Sequence, residues 1–128
     1  MERNDKFPLS LILEDLGTKN GTQVFRLTKD FVYMSDKFGK LVCKAGFETN
    51  GISSPRWTWP LIGPTSNAFK ISIFHDLMYS KNCPYDLNRA DADYLMLEGM
   101  VALGVGFFER RAIYRVLRMW GWVAWKKS

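Results

Sequence analysis

Apolar and polar positions alternate in short runs over the first part of the chain and recur every three to four residues over the second half. Residues 8–13 open with alternation, and residues 22–34 mix Val24, Phe25, Leu27, Phe31, Val32 and Tyr33 with charged positions. This is the pattern of strands rather than helices. Asn20-Gly21 between the two runs is a turn signal, within a loop over residues 17–21 that is longer than a two-residue hairpin needs. Lys37, Phe38, Gly39 and Lys40 turn the chain into a third run over residues 41–47. One small antiparallel sheet is the economical reading. Residues 49–65 then hold Asn50-Gly51, Pro55, Pro60 and Gly63-Pro64, which excludes regular structure over any length and marks a loop suited to carrying a site.

From residue 66 the period becomes helical. Ser66 is placed to cap a first helix ending near Tyr79, with Ala68, Ile71, His75, Met78 and Tyr79 at helical spacing. Asn82 and Pro84 end it. Asn88 is a suitable N-cap for a second helix carrying Tyr94, Leu95, Leu97 and Val101, which Gly104-Val105-Gly106 breaks. The third runs over residues 107–120, with Phe108, Ala112, Val116 and Met119 as an apolar stripe and Arg111, Arg115 and Arg118 on another face. The fold class is therefore α+β: an N-terminal antiparallel sheet over residues 1–48, a loop over 49–65, and three helices over 66–125, in one domain.

The chain of 128 residues, 47% hydrophobic and 24% charged, has the size and balance of one globular domain. Its charged start, with no apolar run after it, predicts no signal peptide. No stretch reaches the roughly 18 consecutive apolar residues of a bilayer span. Cys43 and Cys83 lack the spacing of a disulfide framework or a zinc site, so they are expected as thiols in a protein made in the cytoplasm. The net charge of +5 is local: Arg110, Arg111, Arg115, Arg118, Lys126 and Lys127 end the chain with no acidic residue among them. With Trp120, Trp122 and Trp125 alongside, that basic segment is a candidate surface for a membrane or cell envelope. A solvated face backed by core aromatics is the plainer account. Nucleic acid is not expected, because no nucleic-acid motif accompanies the basic tail.

The chain's one histidine, His75, stands beside Asp76 and precedes Asp91 and Asp93 on the next helix. Ser72, His75 and Tyr79 share a side of the first helix, with Asp76 about 100° further round. If the second helix lies antiparallel to the first, Asp91 can accept from the imidazole and hold it as a general base. Asp91 also stands three residues after Asn88, where it would serve as the acidic member of a capping box. Asp93 is expected as a solvated helix charge. Asp76 is a candidate ligand for a hard cation such as calcium, which takes six to eight oxygens, some of them from the loop around Gly63. Ser53 is a candidate nucleophile or substrate contact, and Asn50, Arg56 and Tyr79 complete the set. The other reading makes His75, Asp76 and Asp91 a buried polar network that fixes the helix pair.

Two resemblances follow from these residues. Gly46, Phe47, Thr49, Gly51, Ser53, Pro55, His75, Asp76, Tyr79, Ala90, Asp91, Tyr94, Tyr114 and Gly121 resemble the shared pattern of a family of uncharacterised small phage and prophage proteins. The chain departs from that pattern at Asn50, where the family usually has Asp, and at Leu117-Arg118, where it usually has Val-Arg. This resemblance implies phage origin and hence synthesis in the host bacterial cytoplasm, with association with the virion one of two outcomes left open. His75-Asp76-x-x-Tyr79, with Gly63-Pro64 before it and Ala90-Asp91 after it, is similar to the active helix of phospholipases A2. That similarity implies His75 as the base, Asp76 as a calcium ligand and Asp91 as the orienting carboxylate of a hydrolase acting at a membrane or envelope. The alternative is a non-enzymatic virion or tail component, partnered by phage structural proteins or a host factor.

Overall fold

The computed structural model describes residues 6–19, 22–49, 67–81 and 83–125. The element order is β1 (Leu13–Lys19), β2 (Thr22–Leu27), β3 (Phe31–Ser35), β4 (Gly39–Cys43), β5 (Glu48–Thr49), then α1 (Phe69–Tyr79), α2 (Arg89–Ala102) and α3 (Phe107–Ala124). The protein is α+β, with antiparallel strands before three helices. It divides into two compact units, Met1–Asn50 and Gly51–Ser128.

In the strand unit the expected single sheet is two: β1-β2-β5 and the β3-β4 hairpin. The break falls at residues 28–30, inside what the sequence pattern reads as one run. There Asp30 leaves the ladder and its carboxylate accepts from the backbone N–H of Ala45. The first strand also lies later than alternation predicts, over Leu13–Lys19 rather than residues 8–13. It continues through Gly17, which takes a φ of +81° open to glycine at little cost. The β1-β2 register shifts between Asp15 and Thr18 at this point, a bulge, and the Asp15 carboxylate accepts from Gly17 N–H. The segment before β1 is tied to β3 by Met34 N–H donating to the Lys6 carbonyl. Phe7 stacks there on Tyr33, with ring centroids 4.9 Å apart. Phe7, Leu27, Phe31, Tyr33, Leu41 and Cys43 are among the buried side chains of this unit.

In the helical unit α1 is covered nearly all round: Lys70 is exposed and Asp76 half-buried, while the other nine residues are buried. Such a helix needs apolar residues on every side, which Phe69, Ile71, Ile73, Phe74, Leu77 and Met78 provide. Ser66, the expected cap, lies outside the described residues. The N-cap position belongs to Ala68, whose side chain makes no capping bond, and Ser72 Oγ donates back to the Phe69 carbonyl at 2.6 Å. The α2 helix starts as its sequence predicts. Asn88 accepts from Asp91 N–H, and Asp91 accepts from Asn88 N–H, in a complete capping box.

The crossing of α1 and α2 is set by Gly99. A Cβ built there would lie 2.1 Å from Ile71 Cγ1 and 2.6 Å from its Cβ, so the Ile71 side chain of α1 occupies the space that a side chain at residue 99 would need. Gly99→Ala is expected to force them apart, at about 1–3 kcal/mol for overpacking. Helix propensity favours alanine by about 1 kcal/mol, so a variant at least as stable as wild type in a urea titration would mean the crossing is not tight. Among the described residues, no helix is long and apolar enough to cross a membrane.

The third helix buries an arc rotated from the predicted one. Phe108, Ala112 and Met119, three members of the expected apolar stripe, are exposed; Val116, the fourth, is buried as expected, together with Ile113 and Leu117. Both arcs hold apolar residues, so the sequence pattern alone favours neither. The helix also runs to Ala124 rather than residue 120.

Candidate functional site

The site is organised around Asp93, a residue that the sequence pattern places in solvent. Its side chain has no exposed surface. Oδ1 faces His75 Nε2 at 2.8 Å and accepts from the Tyr79 hydroxyl at 2.5 Å. Oδ2 accepts from Arg118 Nη1 at 2.7 Å and, at a longer 3.4 Å, from Arg89 Nη1. Four donors from three helices thus fill the roughly four acceptor positions of one carboxylate. Burial alone would raise the Asp93 pKa. The bonds and charge from His75, with those from Tyr79 and Arg118, outweigh it and hold the carboxyl below its ordinary value.

Local sequence explains how each group arrives. His75 and Tyr79 are four residues apart on α1, so both reach one point on the neighbouring helix, and their rings lie 4.2 Å apart. Arg89 is four residues before Asp93 on α2. It also donates to the carbonyls of Leu117 and Arg118, tying the start of α2 to α3. Trp125, just past α3, packs edge-on against Tyr79 at 4.9 Å. First burial and then the adjacent Asp93 carboxylate raise the Tyr79 pKa, so the phenol stays protonated and donates. Among the described residues, no buried side-chain nitrogen or oxygen lacks a hydrogen-bond partner.

The chemistry follows from the acceptor. An ionised carboxylate has no proton to give, so Nε2 is the donor to Asp93. The lone pair of the neutral imidazole then falls on Nδ1. A ring held in this way presents Nδ1 as its acceptor position. The His75 side chain is 11% exposed against none for Asp93.

The carboxylate partner of His75 is therefore Asp93, where the sequence reading has Asp91. Asp91 is engaged in the capping box, half-buried at the first turn of α2. The two positions differ by about 200° around the helix. They flank opposite edges of the buried stripe of Ala92, Leu95, Met96, Gly99 and Met100, so patterning alone separates them poorly. One local signal did point to Asp93: the Arg89–Asp93 pair at i, i+4. No comparable signal marks Arg118, which reaches Asp93 only through the packing of α3.

Of the other candidates, Tyr79 is in the site, and Asp76 is half-buried on the same helix beside His75. Ser53, Asn50, Arg56 and Gly63 lie outside the described residues. Among the described residues, no group of three or more His, Cys, Asp or Glu side chains is placed to hold a metal ion. Cys43 and Cys83 are both thiols, and the Cys83 Sγ lies 3.6 Å from Met78 Sδ.

A family model described as "Protein of unknown function (DUF1353)" matches residues 25–117. No curated protein and no solved structure matches the chain. The match begins inside β2 and takes in β3 to β5 as well as His75, Tyr79, Arg89 and Asp93; it covers well over half of the chain, which therefore belongs to this family of proteins of unknown function.

Proposed function

We propose that the protein is a hydrolase in which His75 is the general base and Asp93 orients it, acting on an ester at a membrane or cell envelope. The observation that carries this reading is the single Asp93 oxygen shared by His75 Nε2 and the Tyr79 hydroxyl. It fixes one tautomer and leaves Nδ1 to accept a proton from water. In the likeness to phospholipases A2, Asp93 takes the orienting part that the sequence assigns to Asp91. We read the chain as phage-encoded, made in the host bacterial cytoplasm and carried with the virion, where an envelope-directed esterase would act at entry or release. The test is release of fatty acid from phospholipid vesicles, with calcium and with chelator, by wild type and His75→Gln. Turnover by wild type that the variant lacks supports the reading. Equal turnover, or none by wild type on any envelope ester, overturns it.

Calcium enters this reading through Asp76, which offers a hard oxygen next to the base; bound there, the ion would polarise the ester carbonyl. Titration calorimetry is expected to give calcium binding by wild type that Asp76→Asn abolishes. Binding unchanged in the variant would detach the metal from this helix.

A second reading rests on Oδ2. Arg89 and Arg118 are groups a dyad does not need, and Arg89 also clamps two carbonyls of α3. On that reading the network fixes the three helices of a non-enzymatic virion component or host-factor binder. It predicts that variants of the network lose folding stability and that wild type has no turnover to lose.

A further inference from the structure

We propose that the exposed face of α3 docks the protein onto an anionic lipid surface. Phe108 is 85% exposed, Met119 65% and Trp122 66%. At 3.6 residues per turn they fall on one line with Ala112 and Arg115, and Arg111 lies at its edge. From Phe108 to Trp122 the line is about 21 Å long. Lone exposed apolar residues are ordinary, but three large ones in a row on one helix form a patch that calls for a covering surface. At its N-terminal end Phe107, Phe108, Arg111, Ala112 and Arg115 line a shallow groove of about 390 Å³. The Arg110 and Arg111 guanidiniums lie 5.2 and 5.3 Å from the centre of the Phe107 ring, which sets cations beside the aromatic ridge.

Charge decides the occupant. Arg111 and Arg115 are exposed on this face, and from Arg110 to the C-terminus the sequence has no acidic residue. Two copies meeting through such faces would set arginines against arginines, which disfavours self-association. A line of Phe, Met and Trp with interleaved arginines suits a deformable layer of anionic headgroups. The apolar side chains enter the layer while the guanidiniums stay at phosphate level. This proposal stands apart from the hydrolase reading, since it concerns binding and uses no residue of the Asp93 network.

The experiment is co-sedimentation of the full chain with phosphatidylglycerol-containing vesicles and with phosphatidylcholine vesicles. Arg111→Gln/Arg115→Gln and Phe108→Ser/Trp122→Ser are compared with wild type; all four positions are exposed, so folding is expected to persist by circular dichroism. Wild type is expected to bind the anionic vesicles preferentially. The arginine double variant should bind them about 30-fold more weakly, and the aromatic double variant roughly 100-fold more weakly. His75→Gln should bind as wild type does, so loss of turnover and loss of docking are read separately. Wild type that fails to bind anionic vesicles, or binding that survives both double variants, overturns the proposal. So does a wild-type dimer in sedimentation that Phe108→Ser/Trp122→Ser disperses, because the face would then belong to a second copy.

Discussion

Asp93→Ala is expected to lower the unfolding free energy by about 3–5 kcal/mol, the cost of removing one side of a buried ion pair and stranding the other. The substitution leaves the Arg118 and Arg89 guanidiniums, the His75 ring and the Tyr79 hydroxyl facing an emptied acceptor site from which water had been excluded. Asp91→Ala, two residues away, removes one half of a capping box on a half-buried turn and should cost about 1 kcal/mol. Urea titrations of both variants followed by far-UV circular dichroism make the comparison. Equal midpoints would mean that Asp93 is not the hub. The pH dependence has two flanks. The folded-state pKa of Asp93 is lowered, so its contribution is fully present above about pH 4 and is lost as pH falls from there toward the folded pKa. The folded-state pKa of Tyr79 is raised, so its contribution is present below about pH 10 and is lost as pH rises above that. Wild type should therefore lose stability at both extremes, and Asp93→Ala should show a shallower acid limb. An unchanged acid limb would mean that other carboxylates carry the acid transition.

His75→Gln is expected to reduce any ester turnover by 10²–10⁴-fold, the usual contribution of a positioned general base. A glutamine amide can still donate toward Asp93, so folding stability should fall by no more than about 1.5 kcal/mol, the net worth of one altered hydrogen bond. The pairing of large kinetic and small thermodynamic effects separates the two readings of the network. A structural clamp predicts that stability falls along the series His75→Gln, Tyr79→Phe and Asp93→Ala with no activity to follow. A dyad predicts that turnover falls at His75 before stability does. Vesicle assays of the same variants, with the α3 face intact, keep substrate delivery constant across the series.

Much of the secondary structure is legible because it is encoded locally. Asn88 followed three residues later by Asp91 is a capping box in sequence and in space, since both halves lie within one helical turn. His75 and Tyr79 at i, i+4 share a face in any α-helix. The strand run over residues 22–34 hides its break because Thr28, Lys29 and Asp30 carry no Gly or Pro, and Asp30 turns the chain through a bond to Ala45 that local pattern does not reveal. The facing of α3 is hidden for another reason: apolar residues occupy two arcs of that helix, and only packing shows which is buried.

What the sequence alone determined, then, is the set of parts. These are strands before helices, a capped α2, a histidine and a tyrosine on one side of α1, and a basic, tryptophan-rich end. Which carboxylate meets the histidine, and which face of α3 meets solvent, were decided only by tertiary structure. Asp91 and Asp93 flank the same buried stripe and differ by a rotation of the helix. That rotation is set by where Gly99 lets Ile71 come close and by where Arg118 arrives from α3. Contacts between helices choose among faces that helical periodicity leaves equivalent.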